Sequence, residues 1–144
     1  TDTWYTVVLS EDFLNSCETD HIIDSDGDDH GAGLLLKGLN ISAPGKTAIA
    51  LPKQYSRQIW VDNCTLSGKY IFTSAEEQTI VLYNCNITVE EGGKIVSLPE
   101  LTTTQVMIAG DVYVNGVKLT QEEHGMGTEF FNQYFENIGT LIFA

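Results

Sequence analysis

The chain has 144 residues, enough for one domain, and 7 Lys+Arg against 20 Asp+Glu give a formal net charge of −13. That balance argues against unassisted binding to DNA, RNA or an anionic membrane, whose phosphates need clustered Lys and Arg. With 42% hydrophobic and 10% aromatic residues the chain can bury a core, and no run approaches the roughly 18 apolar residues of a membrane-spanning helix.

The chain opens Thr1-Asp2-Thr3-Trp4, with no initiator Met, signal peptide or transit peptide, and reads as a domain cut from a longer protein. Residues 1–33 are expected to cap the domain, with a strand over 4–9 (WYTVVL). An acidic loop follows. Asp24, Asp26 and Asp28 have the alternate spacing with which carboxylates converge on Ca²⁺. Asp29 and Leu35 stand where an EF-hand needs Gly and Glu, so the loop departs from the EF-hand pattern and reads as a looser Ca²⁺ loop or a solvated acidic turn.

An internal repeat then begins. Leu34–Ser42 (LLLKGLNIS), Ile59–Ser67 (IWVDNCTLS), Ile80–Thr88 (IVLYNCNIT) and Val106–Val114 (VMIAGDVYV) align without gaps, at a period of about 21–27 residues. In the fourth copy Asp111 falls on a core position unless the turn shifts by one residue. A poorer fifth copy is expected at Gln133–Leu141. A second marker follows each copy: Gly45-Lys46, Gly68-Lys69, Gly93-Lys94 and a plausible fourth at Gly116-Val117-Lys118-Leu119.

Each copy alternates apolar residues with period two and is rich in β-branched types, which predicts strands. In the third copy Ile80 and Leu82 face inward, Val81 and Tyr83 outward. Asn84 turns the chain, after which Cys85 and Ile87 face inward and Asn86 outward. Two short strands joined by a tight turn, followed by a strand opening on Gly, make one coil of a solenoid. The period suits a three-sided parallel coil.

These h-x-h-x-N-C-x-h repeats resemble the right-handed parallel β-helix of pectate lyases and phage tailspikes, over about residues 34–119. The resemblance is one of fold pattern, without a catalytic signature. It implies an all-β fold, a short right-handed β-helix of four to five coils, whose handedness rests on the resemblance alone. It also implies an asparagine ladder inside one turn, with Asn63 and Asn84 in place and Gly38 and Gly110 departing from it. Cys64 and Cys85 would then be neighbours in the core. Strand spacing of about 4.8 Å is within reach of a disulfide, but stacking alone explains small apolar residues there, so both are expected reduced. With Cys17 the cysteines are three, an odd number without zinc-ligand spacing to His21, His30 or His124.

Residues 120–144 form the expected C-terminal cap or oligomerisation segment, with a helix over Gly127–Glu136 N-capped by Thr128. Phe130, Phe131, Tyr134 and Phe135 would cover the last core layer, since an open solenoid exposes its end.

Catalytic constellations are sparse. Glu76-Glu77, Glu90-Glu91 and Glu122-Glu123 recur in polar stretches without the apolar pocket that raises a carboxyl pKa. Arg57, the only Arg, lies in a loop. Three N-x-S/T triplets start at Asn40, Asn63 and Asn86. They read as by-products of the repeat, Asn63 being expected in the buried ladder.

The outward positions form two columns: Leu35, Trp60, Val81, Met107, and Lys37, Asp62, Tyr83, Ala109. The first is apolar throughout and implies a covered face, expected at a homo-oligomer interface with a trimer favoured by the resemblance. Trp60, Asp62 and Tyr83 also combine flat rings with a carboxylate, a pattern suited to sugars. The resemblance therefore implies a non-enzymatic structural or adhesive module of a phage tail fibre, spike or similar surface protein, at the virion or extracellular surface. Its expected partners are copies of itself and a cell-surface glycan or receptor, not nucleic acid or membrane, and Ca²⁺ at the acidic loop is the one candidate cofactor. A polysaccharide lyase or glycoside hydrolase of the same fold, and a β-sandwich binding module, are the alternative readings.

Overall fold

The computed structural model describes residues 21–24, 34–51, 58–74 and 79–144. The expected strand over 4–9, Cys17, Asp26, Asp28, His30, Arg57 and the Glu76-Glu77 pair lie outside the described residues. Those described are mostly strand: β1 (His21–Asp24), β2 (Leu34–Lys37), β3 (Asn40–Leu51), β4 (Ile59–Asp62), β5 (Thr65–Ser74), β6 (Thr79–Tyr83), β7 (Asn86–Ser97), β8 (Gln105–Ala109), β9 (Tyr113–Val114) and β10 (Val117–Lys118). Two short helices, α1 (Gln121–His124) and α2 (Glu129–Tyr134), precede β11 (Phe135–Glu136) and β12 (Thr140–Phe143).

Odd and even strands separate into two sheets. One runs β1-β3-β5-β7-β9-β10, with β11 also on β7; the other runs β12-β8-β6-β4-β2. Every pairing is parallel except β9 with β10. The repeats fall in register as their alignment predicts. Ile59, Ile80, Val106 and Leu141 are successive partners across β4, β6, β8 and β12, and Val61, Leu82 and Ile108 form the next column. All seven are buried, as are Ile41, Leu66, Ile87 and Val114 in the facing sheet. Like residues thus stack on like. Fully burying each such side chain is worth about 1.5–3 kcal/mol relative to leaving it exposed.

The turns between the sheets reuse one backbone conformation. Gly38, Asn63, Asn84 and Gly110 all have φ between 53° and 69°, a region open to Gly and tolerated by Asn. Hydrogen bonding continues around these turns, from Gly38 N to Asp62 O (3.0 Å), Asn63 N to Tyr83 O (2.9 Å) and Asn84 N to Ala109 O (3.2 Å). Glycine at two of the four positions is therefore the conformational equivalent of asparagine. The ladder expectation fails in another respect: Asn63 and Asn84 are exposed. The asparagines are selected for their backbone, and their amides lie at the surface.

The fourth repeat carries one extra residue, as the misplaced Asp111 requires. Asp111 is exposed, Val112 takes the buried place, and Tyr113 and Val114 pair with Asn86 and Ile87. Two expected copies do not hold. Gly116 opens no further parallel strand: Asn115 (φ 50°) and Gly116 (φ 81°) form a two-residue hairpin turn that folds Val117 back on Val114. The fifth repeat is not Gln133–Leu141, because Leu141 itself pairs with Val106. The two helices occupy the intervening chain, which lengthens the last period.

Register also shifts within the Gly-Lys markers. Thr47, Tyr70 and Lys94 are successive partners, with irregularities between Ala43 and Thr47 and between Gly68 and Tyr70. This places Gly93 against the Lys69 carbonyl, where a Cβ would collide.

The predicted C-terminal helix is present as Glu129–Tyr134, with Thr128 Oγ1 accepting from Phe131 N at 3.1 Å. Phe130, Phe131 and Tyr134 pack half-buried on the core, while Phe135 is buried and pairs with Val96 in β7.

Candidate functional site

Two surfaces carry the outward side chains. On the smaller sheet, Leu35, Trp60, Val81 and Met107 are successive partners, as are Lys37, Asp62, Tyr83 and Ala109. Both expected columns exist in register, but they are unequally open. Leu35 (50%), Trp60 (41%) and Tyr83 (41%) are exposed, Met107 is half-buried, and Val81 is buried at 2%. Trp60 Nε1 donates to Gln58 Oε1 at 2.7 Å, which fixes the indole edge. Asp62 pairs directly with Tyr83, and Trp60 lies on the same strand as Asp62, so these three sequence-derived candidates share one patch.

The second surface was not anticipated. Where the two sheets meet at the left-handed turns, a cleft of about 430 Å³ opens to solvent. Three successive turns line it. Asn63, Asn84 and Asp111 stand at the turns themselves, and Thr65, Asn86 and Tyr113 open the strands that follow. All six are exposed. Thr65, Asn86 and Tyr113 are successive partners in the larger sheet. Two interactions hold the lower end. Asn84 Oδ1 accepts from Asp111 N at 2.8 Å, and Lys118 Nζ meets Asp111 Oδ1 at 2.8 Å, the carboxylate holding the Lys118 pKa above its ordinary value. The Asp111 carboxylate is thereby oriented by a neighbour on β10.

The chain matches no protein-family model, no curated protein and no solved structure.

Beneath the cleft lie the two thiols. Cys64 and Cys85 are free and buried. Cys85 Sγ donates to Val61 O at 3.2 Å, and Cys64 Sγ to Asp62 O at 3.4 Å. Burial pushes Cys85 up to about 11 and also raises Cys64. A nucleophilic cysteine needs the opposite shift, so these are packing residues.

The remaining candidates are dispersed. Asp24 ends β1, while Asp26 and Asp28 lie outside the described residues, so the Ca²⁺ expectation is left where the sequence placed it. Among the described residues no group of three or more His, Cys, Asp or Glu is placed to hold a metal ion. Glu90, Glu91, Glu122 and Glu123 are exposed. Glu90 Oε2 accepts from Gly45 N at 2.8 Å, a structural role. The asparagines of the three N-x-S/T triplets are all exposed, including Asn63, because the left-handed turn keeps its amide at the surface.

The signal for the cleft was present in the sequence as the Gly/Asn/Asn/Gly series at one repeat position. Only residues that tolerate positive φ alternate there, which marks a turn whose side chains need not be inside.

Proposed function

We propose that this chain is a short right-handed β-helix acting as a non-enzymatic structural and adhesive module, of the kind found in phage tail fibres, spikes and similar surface proteins. Its lateral faces would be offered to a receptor, a glycan or further copies of the chain. The carrying observation is the register. Strands from successive repeats pair in parallel in two sheets, with the chain alternating between them. A stack of that kind behaves as a stiff rod, since each repeat contacts mainly its neighbours.

The exposure of Glu90, Glu91, Glu122 and Glu123 favours this reading over a glycoside hydrolase. A glycosidase acid sits in a buried, apolar pocket, and these carboxyls lie at the surface. The exposed Leu35 and Trp60 favour a covered outer face, with a homotrimer as the proposed assembly.

Molar mass in solution by light scattering, with and without Ca²⁺, tests the assembly. A stable trimer that Trp60→Asp converts to monomer supports the fibre reading and assigns Leu35, Trp60 and Met107 to the interface. A monomer at all concentrations removes the trimer and leaves a single-chain adhesive face. Release of sugar product from polysaccharide would overturn the non-enzymatic assignment.

A further inference from the structure

We propose that the cleft at the left-handed turns is a binding site for a neutral oligosaccharide, distinct from the Trp60, Asp62 and Tyr83 patch. The inference rests on the reading of the chain as a binding module and names the ligand class of one of its faces.

The lining decides the chemistry. Asn63, Asn84 and Asn86 place three primary amides in one concavity, each able to donate and to accept. Thr65 adds a hydroxyl and Asp111 a carboxylate, an acceptor for paired hydroxyl donors. A dense, alternating supply of donors and acceptors suits a polyhydroxylated ligand, since every sugar hydroxyl both gives and takes a hydrogen bond. Tyr113, 39% exposed on β9, supplies the flat apolar face on which a sugar ring can rest.

Other ligand classes fit poorly. An anionic glycan or phosphate would meet Asp111 inside the cleft and a chain of net charge −13. An apolar ligand would strand the amides without hydrogen-bond partners. A peptide strand would need pockets for alternate side chains, whereas the turns present polar groups throughout.

The spacing is also suitable. Parallel neighbours repeat at about 4.8 Å, close to the length of one pyranose unit, and the lining groups recur on three successive turns. An oligosaccharide lying along the stack would therefore meet a polar turn group at successive sugars, Asn63, Asn84 and Asp111. At about 430 Å³ the cleft falls within the range of small-ligand sites. Its shape is set before binding. Asn63 and Asn84 are held by turn hydrogen bonds, and Asp111 by Asn84 and Lys118. Little backbone ordering is then needed on binding.

The test is a glycan array of neutral and acidic oligosaccharides, followed by calorimetric titration of the wild-type protein with the best-bound soluble glycan. The titration is repeated with Asn86→Ala, Tyr113→Ala, Tyr113→Phe and Trp60→Ala. Circular dichroism checks that each variant is folded, and Thr65→Ala replaces any that is not. The expected result is a neutral glycan whose affinity falls at least about tenfold in Asn86→Ala and Tyr113→Ala. Tyr113→Phe, which keeps the ring, should lose less, and Trp60→Ala should bind as the wild type. Loss in Trp60→Ala alone would move the site to the flat patch, overturning the cleft while keeping the adhesive reading. Binding of acidic glycans only, or no neutral glycan bound more tightly than about 1 mM, would overturn the proposal. The mass measurement above is independent of these outcomes, so loss of the trimer and loss of the cleft are separable.

Discussion

Asn84 Oδ1 accepts the backbone N–H of Asp111 at 2.8 Å, and it reaches that N–H across Gly110, where a Cβ would collide with the same oxygen. The glycine, the amide and the extra residue of the fourth repeat are thus one device. Asp111 is the inserted residue, its N–H would otherwise lack a strand partner, and Asn84 supplies one.

This arrangement predicts a coupled pair of substitutions. Gly38 and Gly110 both have positive φ, but a Cβ at Gly38 meets nothing within 4 Å. Gly38→Ala should cost the left-handed strain alone, about 1–2 kcal/mol. Gly110→Ala should cost more, because it also displaces Asn84 from Asp111, a further ~0.5–1.5 kcal/mol. Adding Asn84→Gly to Gly110→Ala should recover part of that excess. Urea unfolding of the wild type, Gly38→Ala, Gly110→Ala, Asn84→Gly and the Gly110→Ala/Asn84→Gly double variant measures the cycle; equal costs at the two glycines, or strict additivity, would refute the coupling.

The buried thiol predicts an alkaline loss of stability. Cys85 is held at about 11 by burial, against 9.0 for the free side chain. Between those values the unfolded chain releases a proton that the native state retains. Stability from this group is therefore complete below about pH 9 and is lost as pH rises toward 11, by at most about 1.4 kcal/mol per pH unit. Cys85→Val should show a shallower fall over that range. In the native state, Cys64 and Cys85, followed by peptide mapping, should react with a thiol reagent at about pH 8 far more slowly than in urea. Prompt native labelling of Cys85 would mean that the core opens readily or that the thiol is misplaced.

At the C-terminal end, Phe135 is buried at 5%, pairs with Val96 and stacks on Phe131 with ring centroids 5.5 Å apart. Phe135→Ala is expected to cost about 3–5 kcal/mol and to uncover the edge of β7, promoting association. Thr128→Ala removes the N-cap of α2 and the hydroxyl's hydrogen bond to Gly125 O at 2.7 Å, about 1–2 kcal/mol, and should leave the protein monodisperse relative to the wild type. Thermal unfolding with light scattering distinguishes the two. Similar small effects from both would show that the segment does not seal the core.

Much of the strand pattern was legible because burial on one face imposes period two. Ile59–Asp62 alternates, with its inward residues Ile59 and Val61 buried; in Thr79–Tyr83 the inward Ile80 and Leu82 are buried as expected, but Val81, expected outward, is buried as well. The α2 helix was equally readable, since Thr128 followed by an aromatic run is a local signal. Trp60, Asp62 and Tyr83 were identified as one outward patch by the same alternation. The Asn115-Gly116 hairpin was also a local signal, but at that position the repeat argued for another Gly-led strand and masked it.

By itself, then, the sequence determined which residues alternate, where positive φ is tolerated and that four segments share one pattern, because each depends on a few neighbouring residues. The tertiary structure decided between the two alternatives the sequence left at Asp111, in favour of the one-residue shift, and decided that Leu141, rather than Gln133, continues the stack. It also decided that Asn63, Asn84, Asn86 and Tyr113 share a cleft. Those relations depend on register between strands more than twenty residues apart, which is set by the sum of many stacking contacts and by the turns and helices inserted between them.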